Sequence, residues 1–449
     1  MFEDTSEEHY IDFYERGLYN HILSSQNPDG GFVYFTPIRP GHYRVYSQPE
    51  TSFWCCVGSG MENHTKYNEL IYAKKEDKLY VNLFIPSEVN WEEKNATLTQ
   101  KTNFPEEALT ELIWNSKKKT KATLMLRYPQ WVNAGELKVY VNDKLEKIDA
   151  TPGSYVSLER KWKNGDRIKM ELPMHLSLEE LPDDSGYVSV KYGPIVLAAV
   201  TGDANQDGLF ADDSRGGHIA DGPFLPLTEA PMFLTKDGED LLNEIKPVEG
   251  EPLHFTAPGL FYPEKYSDLV LQPFYKIHEK RYSIYFKKQT PEALAEEQRK
   301  LEEKQKAEAY LREITLDFVA PGEQQPESDH GILSENSNSG LNQNKHWRDA
   351  TGWFSYDLRN KEAKAKTLRV TYFGKDAGRK FKIMVNETTI AEPHFKGTRG
   401  NDFFEVDYTI PQELAATNEI LTVRFEAEEG STTAGIYGVR LLSIPATKE

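Results

Sequence analysis

Apolar residues recur at three- and four-residue steps in HYIDFYERGLYNHILSSQ, where Ile11, Tyr14, Leu18 and Ile22 form a one-faced stripe that predicts a helix. Asn27-Pro28-Asp29-Gly30-Gly31 stops it. Residues 32–54 carry three prolines and seven aromatic side chains and read as a loop. A second helix is expected in VGSGMENHTKYNELIYAKK, from Met61, Tyr67, Leu70 and Ile71. Helix, long aromatic loop and helix is how the hairpins of an α-barrel are joined.

From Lys78 the period changes to two. KLYVNLFIP, ATLTQ, KATLMLRYP, LKVYVND, SYVSLER, DRIKMELP and YVSVKYGPIVLAAV are short strands between turn residues, with Asn142-Asp143 and Asn164-Gly165-Asp166 as turns. Residues 78–200 therefore read as an antiparallel β-sandwich. The chain is turn-rich and acidic from 201 to 250. The apolar strands LHFTAPGLFYP, LVLQPFYKIH and RYSIYFKK follow, giving a β-rich accessory segment over 201–288. Thr290 caps and Pro291 opens a charged helix, a spacer over 289–312. Residues 313–449 alternate again (TLRVTYFG, KFKIMVN, DFFEVDYTI, ILTVRFEAE, IYGVRLLSI) and read as a second sandwich, of jelly-roll type.

The 449 residues suggest about three domains. The net charge of −18 argues against nucleic acid and membrane surfaces as partners, because an acidic surface repels phosphate. No apolar run is long enough for a membrane helix, and the opening MFEDTSEE is not a signal peptide.

Cysteine sharpens the picture. The only two, Cys55 and Cys56, are neighbours, and a disulfide between neighbours is strained. A zinc site or a reactive thiolate is one reading; two small buried apolar residues is the other.

FYERGLYNHILSSQNPDGGFVYFTPIRPGHYRVYSQPETSFWCCVGSGMENHTKYNELIY and KLYVNLFIPSEVNW resemble the β-L-arabinofuranosidase glycoside hydrolases, families 127 and 146, and the latter more closely. SGYVSVKYGPIVLAA, QPFYKIHEKRYSIYF and SGLNQNKHWRDATGWFSYDL resemble accessory β-domains of that family. The resemblance implies a multidomain, mainly β chain that starts with the C-terminal end of an (α/α)6 catalytic barrel over 1–77. It implies a retaining enzyme acting on arabinose-containing plant glycans, exported or periplasmic, with zinc held by three cysteines and a glutamate. Cys55 matches the zinc-bound nucleophile, Cys56 the neighbouring ligand, and Tyr34 a tyrosine of the sugar site. The family's remaining ligands, in a Glu-x-Cys motif, and its acid/base glutamate belong to a segment upstream of this chain. The chain alone is thus expected to be inactive, with residues 1–75 exposing unburied apolar surface as its least stable part. An upstream fragment supplied as a separate chain is a further reading.

Other candidates weigh less. His42, Glu50, Glu62 and His64 are conceivable substitute ligands, but the histidines are read first as hydrogen-bonded in a loop and on a helix, and the glutamates as surface or loop residues; His42 keeps weight beside Arg39 and Tyr43, where a furanose could hydrogen-bond. Trp114, Trp131 and Trp162 are expected in the sandwich core. HWRDATGWFSY, with Trp347, Arg348, Asp349 and Trp353, is read as domain packing. The alternative is a carbohydrate-binding edge, which would make the chain a non-catalytic binding or structural module. Asp203, Asp207, Asp212 and Asp213 lack the spacing of an EF-hand.

Overall fold

A computed structural model describes residues 1–49, 51–214, 216–236 and 240–446. They form two compact units, Met1–Ala295 and Glu296–Glu449. The protein is mainly β with few helices.

The first unit opens with the helices α1 (Phe2–Thr5) and α2 (His9–Gly17). As the apolar period predicts, α2 runs on through a π turn, Leu18–Ile22, and a 3-10 turn, Leu23–Ser25. α3 (Cys55–His64) is shorter than the pattern suggests. Tyr67 and Leu70 fall in turns, and the first strand, Tyr72–Lys75, starts six residues before Lys78 and pairs with Lys78–Val81.

A four-stranded sheet, in the order Tyr72–Lys75, Lys78–Val81, Thr120–Tyr128, Ser154–Trp162, shares one core with a six-stranded sheet running from Ser87–Trp91 to Lys144–Leu145. Trp114 and Trp162 stack in that core, both fully buried, with ring centroids 6.0 Å apart. Asn142 and Asp143 both take positive φ in the two-residue turn before Lys144, as a tight hairpin requires.

The sandwich ends earlier than the alternation suggests. Leu176–Glu180, Tyr187–Tyr192 and Ile195–Gly202 belong to a separate ten-stranded sheet built mainly from residues 232–289. Val188 faces Phe286 and Ala198 faces Gln272 across its ladders. Period two marks these segments as strands but carries no information about the partner.

α2 is fastened to the sandwich by Arg127, which is fully buried. Its Nε–H donates to Glu8 at 2.5 Å, its Nη2 to Glu15 at 2.8 Å and to Asp12, and its Nη1 to the Asn82 carbonyl at 3.0 Å. Glu8, Asp12 and Glu15 recur at helical spacing and so face one way.

α4 (Pro291–Ile314) begins as expected, with the Ala293 N–H donating to the Thr290 hydroxyl at 3.2 Å. The second unit is two antiparallel sheets on one core. Thr315–Val319, Gly438–Leu442, Thr367–Phe373 and Phe403–Thr409 form the first. The second runs from the hairpin Leu333–Asn342/Lys345–Arg359 through Ile420–Ala427 and Ala377–Val385 to Thr388–Ala391. Phe354, Tyr356, Tyr372, Phe381 and Phe425 fill the space between them. Among the described residues no helix is long and apolar enough to cross a membrane.

Candidate functional site

Trp54 is extended, and the chain turns into α3 directly after it, with the Val57 N–H returning to the Trp54 carbonyl at 3.0 Å. Cys55 and Cys56 therefore occupy the first two positions of a ten-residue helix, their sulfurs 3.7 Å apart. Cys55 is exposed and Cys56 half-buried. No side chain caps this end, so unpaired N–H groups and the positive pole of the helix lie beside the thiols. Burial pushes the Cys56 thiol up, and the hydrogen bond and charge of Cys55 push the same way.

The loop 32–54 lies against α3. A Cβ on Gly60 would come within 2.6 Å of the Phe32 ring, so the helix must carry glycine there. Tyr34 and Trp54 meet edge to face at 6.1 Å, and His218 packs on both, at 4.3 and 5.5 Å. His218 arrives from the turn-rich segment after 201, which is pinned to this loop at several points. The Gly222 N–H donates to the Tyr43 hydroxyl at 2.7 Å. Gln48 donates to the Ala211 carbonyl at 2.7 Å, and the Ser52 hydroxyl donates to that of Asp212 at 2.9 Å. Arg281 donates to the carbonyls of Gly41 and Ala204.

The structure thus brings Tyr34 to Trp54, the residue before Cys55. His42 joins a different set: it is buried, with its ring on Tyr43 and Phe224 at 5.2 and 5.0 Å. Burial, then Arg281 and Arg39, hold its pKa below the usual value, so it is neutral at neutral pH. Sequence reasoning missed His218. An aromatic-rich loop gives no sign of which distant histidine will close it.

A zinc site needs about four donors. Among the described residues no group of three or more His, Cys, Asp or Glu side chains is gathered to hold a metal ion. At about 1.5 Å per residue, Glu62 and His64 lie roughly 9 and 12 Å along α3 from Cys56, too far to share an ion with it. Glu50 lies outside the described residues. Two thiols alone do not fit the expected four-donor set.

The sandwich tryptophans divide. Trp114 and Trp162 are core, whereas Trp131 is only partly buried and donates its indole N–H to Glu15 at 2.9 Å. In the second unit Arg348 binds Glu327 at 2.6 and 2.7 Å, and Trp353 lies under Arg424 at 4.0 Å while donating to Glu335. The HWRDATGWFSY residues are thus largely engaged within their own domain.

Cys55 is thus exposed at the N-terminus of α3, and the residue before it, Trp54, packs with Tyr34 and His218. Residues 1–69 match the model described as Beta-L-arabinofuranosidase, GH127 catalytic domain, and residues 78–174 match its middle domain. Two models of unknown function cover the rest, DUF4986 over 177–288 and DUF6805 over 310–442. Over residues 1–174 the chain thus carries the catalytic-domain and middle-domain patterns of the β-L-arabinofuranosidases of glycoside hydrolase family 127.

A GH127 β-L-arabinofuranosidase from Geobacillus stearothermophilus T6 is 20% identical, at a TM-score of 0.47, over 64% of this chain and 48% of that one. A second GH127 β-arabinofuranosidase is 22% identical at 0.44, over 64% and 46%. A family 35 carbohydrate binding module from an environmental isolate is 18% identical at 0.22, over 29% of this chain and 98% of its own. The chain spans about half the length of the two GH127 structures. No curated protein matches it.

Proposed function

We propose that this chain is part of a retaining β-L-arabinofuranosidase, closest to family 146, that acts on arabinose-containing plant glycans with Cys55 as nucleophile. The observation that carries this reading is the place of Cys55: exposed, on the first turn of α3, beside Trp54 and its partners Tyr34 and His218, within the segment matched by the catalytic-domain model. α1 to α3 are read as the end of an (α/α)6 barrel, residues 313–449 as a jelly roll, and the parent enzyme as exported or periplasmic.

In this reading the Cys55 thiolate attacks the anomeric carbon. The bond to the leaving oxygen breaks, and that oxygen takes a proton from a carboxylic acid. Water, losing a proton to the same carboxylate, then displaces the sulfur, and two inversions give retention. Tyr34, Trp54 and His218 offer the sugar an aromatic wall and a hydrogen-bonding edge. Cys56 is assigned to a zinc ligand set that groups beyond this chain complete. The acid/base carboxylate is assigned to the same missing set.

The test is hydrolysis of p-nitrophenyl β-L-arabinofuranoside by the full chain, Cys55→Ala and Cys56→Ala. The expected result is no turnover by any of them. Turnover abolished by Cys55→Ala would contradict the inactivity of the chain, and turnover that survives it would contradict the nucleophile.

A further inference from the structure

The second unit gathers positive charge around one hairpin. The strand His394–Lys396 pairs antiparallel with the start of Ala377–Val385, which sets Lys396 opposite Ala377 and His394 opposite Lys380. The facing segments 374–380 and 394–400 carry Lys375, Arg379, Lys380, Lys396 and Arg399 against one carboxylate, Asp376, in a chain whose net charge is −18. Their backbones are locked together. The Gly374 N–H donates to the Asp402 carbonyl at 2.9 Å, and the Arg399 N–H donates to that of Gly374 at 3.2 Å. Gly397, at a φ of +70°, sits so close that a Cβ there would lie 2.9 Å from the Lys375 carbonyl oxygen.

A cavity of 240 Å³ opens at these segments. It is smaller than a site for a drug-sized ligand and suits a single ring. Its lining combines three kinds of group. Lys396 and Arg399 bring positive charge: Arg399 lies over the Phe404 ring at 4.5 Å, and Lys396 is exposed and enters no ion pair among the described residues. Phe395 and Phe404, both partly exposed, bring ring surface. Asp376 brings an acceptor and is half-buried: its Oδ2 accepts from the Gly435 N–H at 2.7 Å, and its Oδ1 makes no hydrogen bond among the described residues. His394 and Thr398, both exposed, complete the polar lining.

This set discriminates between ligands. A cation is repelled by Lys396 and Arg399. A neutral sugar leaves Lys396 without a counter-charge. Phosphate answers the lysine but brings close to a second negative charge towards Asp376, and it has no apolar face for the rings. A ring with one carboxylate, hydroxyl donors and C–H faces meets all three kinds of group.

We propose that this cavity binds a uronate, a sugar ring bearing one carboxylate. That carboxylate faces Lys396 and the charge of Arg399, a ring hydroxyl donates to Asp376, and a C–H face lies on Phe395. The site belongs to the second unit and does not rest on the activity proposed above.

The experiment is calorimetric titration of the full chain with D-galacturonate and its short oligomers, with D-galactose, inorganic phosphate and poly-L-glutamate as comparisons. Lys396→Gln and Asp376→Asn are run beside Lys361→Gln, which changes an exposed lysine outside the two segments. The expected result is galacturonate binding that Lys396→Gln and Asp376→Asn each weaken about ten-fold and Lys361→Gln leaves unchanged, with weaker binding of all three comparison ligands. Lys396 is exposed, so its variant keeps the test valid should Asp376→Asn fail to fold. No galacturonate binding, equal affinity for galactose, phosphate or poly-L-glutamate, or an equal loss in Lys361→Gln would each overturn the proposal.

Discussion

The Cys55 and Cys56 sulfurs stand 3.7 Å apart on the first turn of α3, close enough to share one ion and too few to enclose it. Zinc that persists through dialysis needs about four donors, and the described residues gather no third. The chain should therefore retain well under one zinc per molecule after metal-free dialysis. Stoichiometric zinc that disappears in a Cys55→Ala/Cys56→Ala variant would mean that local groups complete the site after all.

Arg127 is the tie between α2 and the sandwich. Replacing it by Met leaves the buried Glu15 without its counter-charge, which typically costs about 3–5 kcal/mol. Denaturant unfolding followed at the tryptophans of the first unit should register a loss of that order. A loss below about 1 kcal/mol would contradict the role given to this cluster. The cluster also changes the expectation that residues 1–75 are the weakest region: exposed Phe13, Phe35, Phe53 and Met61 leave apolar surface open there, but α2 itself is anchored. Amide exchange should be slower in α2 than in α3.

Burial pushes Glu8 up to about 8, with Asp12 adding to the rise and Arg127 opposing it. Between about 4.5 and 8 the folded state thus holds a proton that the unfolded state releases. Stability from this group is full at low pH and lost as pH rises through 8. His278, held down to about 4 by burial and Arg44, acts in the opposite sense, but its window closes near 6.5. From pH 6.5 to 9 the melting temperature of the first unit should fall, and Glu8→Gln should flatten that fall. Equal slopes for the two proteins would refute the assignment.

Gly60→Ala places a methyl group 2.6 Å from the Phe32 ring, forcing α3 and the aromatic loop apart. Overpacking of this kind costs about 1–3 kcal/mol. The variant should melt lower, and its Cys55 should alkylate at a changed rate. An unchanged melt would mean that the contact yields freely.

Much of this was legible in the sequence where the signal is local. The Ile11, Tyr14, Leu18 and Ile22 stripe gives α2, Asn142-Asp143 gives a hairpin, and Thr290 gives a cap. Long-range pairing was not. The strand Leu109–Ser116 also alternates, with Leu112 and Trp114 inward, after a turn that Asn103 and Pro105 mark, but it is missing from the strands expected above. Residues 176–200 read as sandwich because alternation does not name a neighbour. The acidic stripe Glu8, Asp12, Glu15 reads as a solvated face until Arg127, 112 residues beyond Glu15, is found beneath it. Cys55 and Cys56 stand out as two adjacent cysteines and Tyr34 through the resemblance, whereas His218 needed the three-dimensional path of its loop.

The most direct test of the central claim is mass-spectrometric mapping of the two thiols after brief treatment with a β-L-arabinofuranosyl derivative bearing an electrophile at its anomeric substituent. Cys55 should carry the label ahead of Cys56, excess L-arabinose should protect it, and Tyr34→Ala should slow it. Equal labelling of both thiols, unaffected by L-arabinose, would contradict a sugar-binding nucleophile at Cys55.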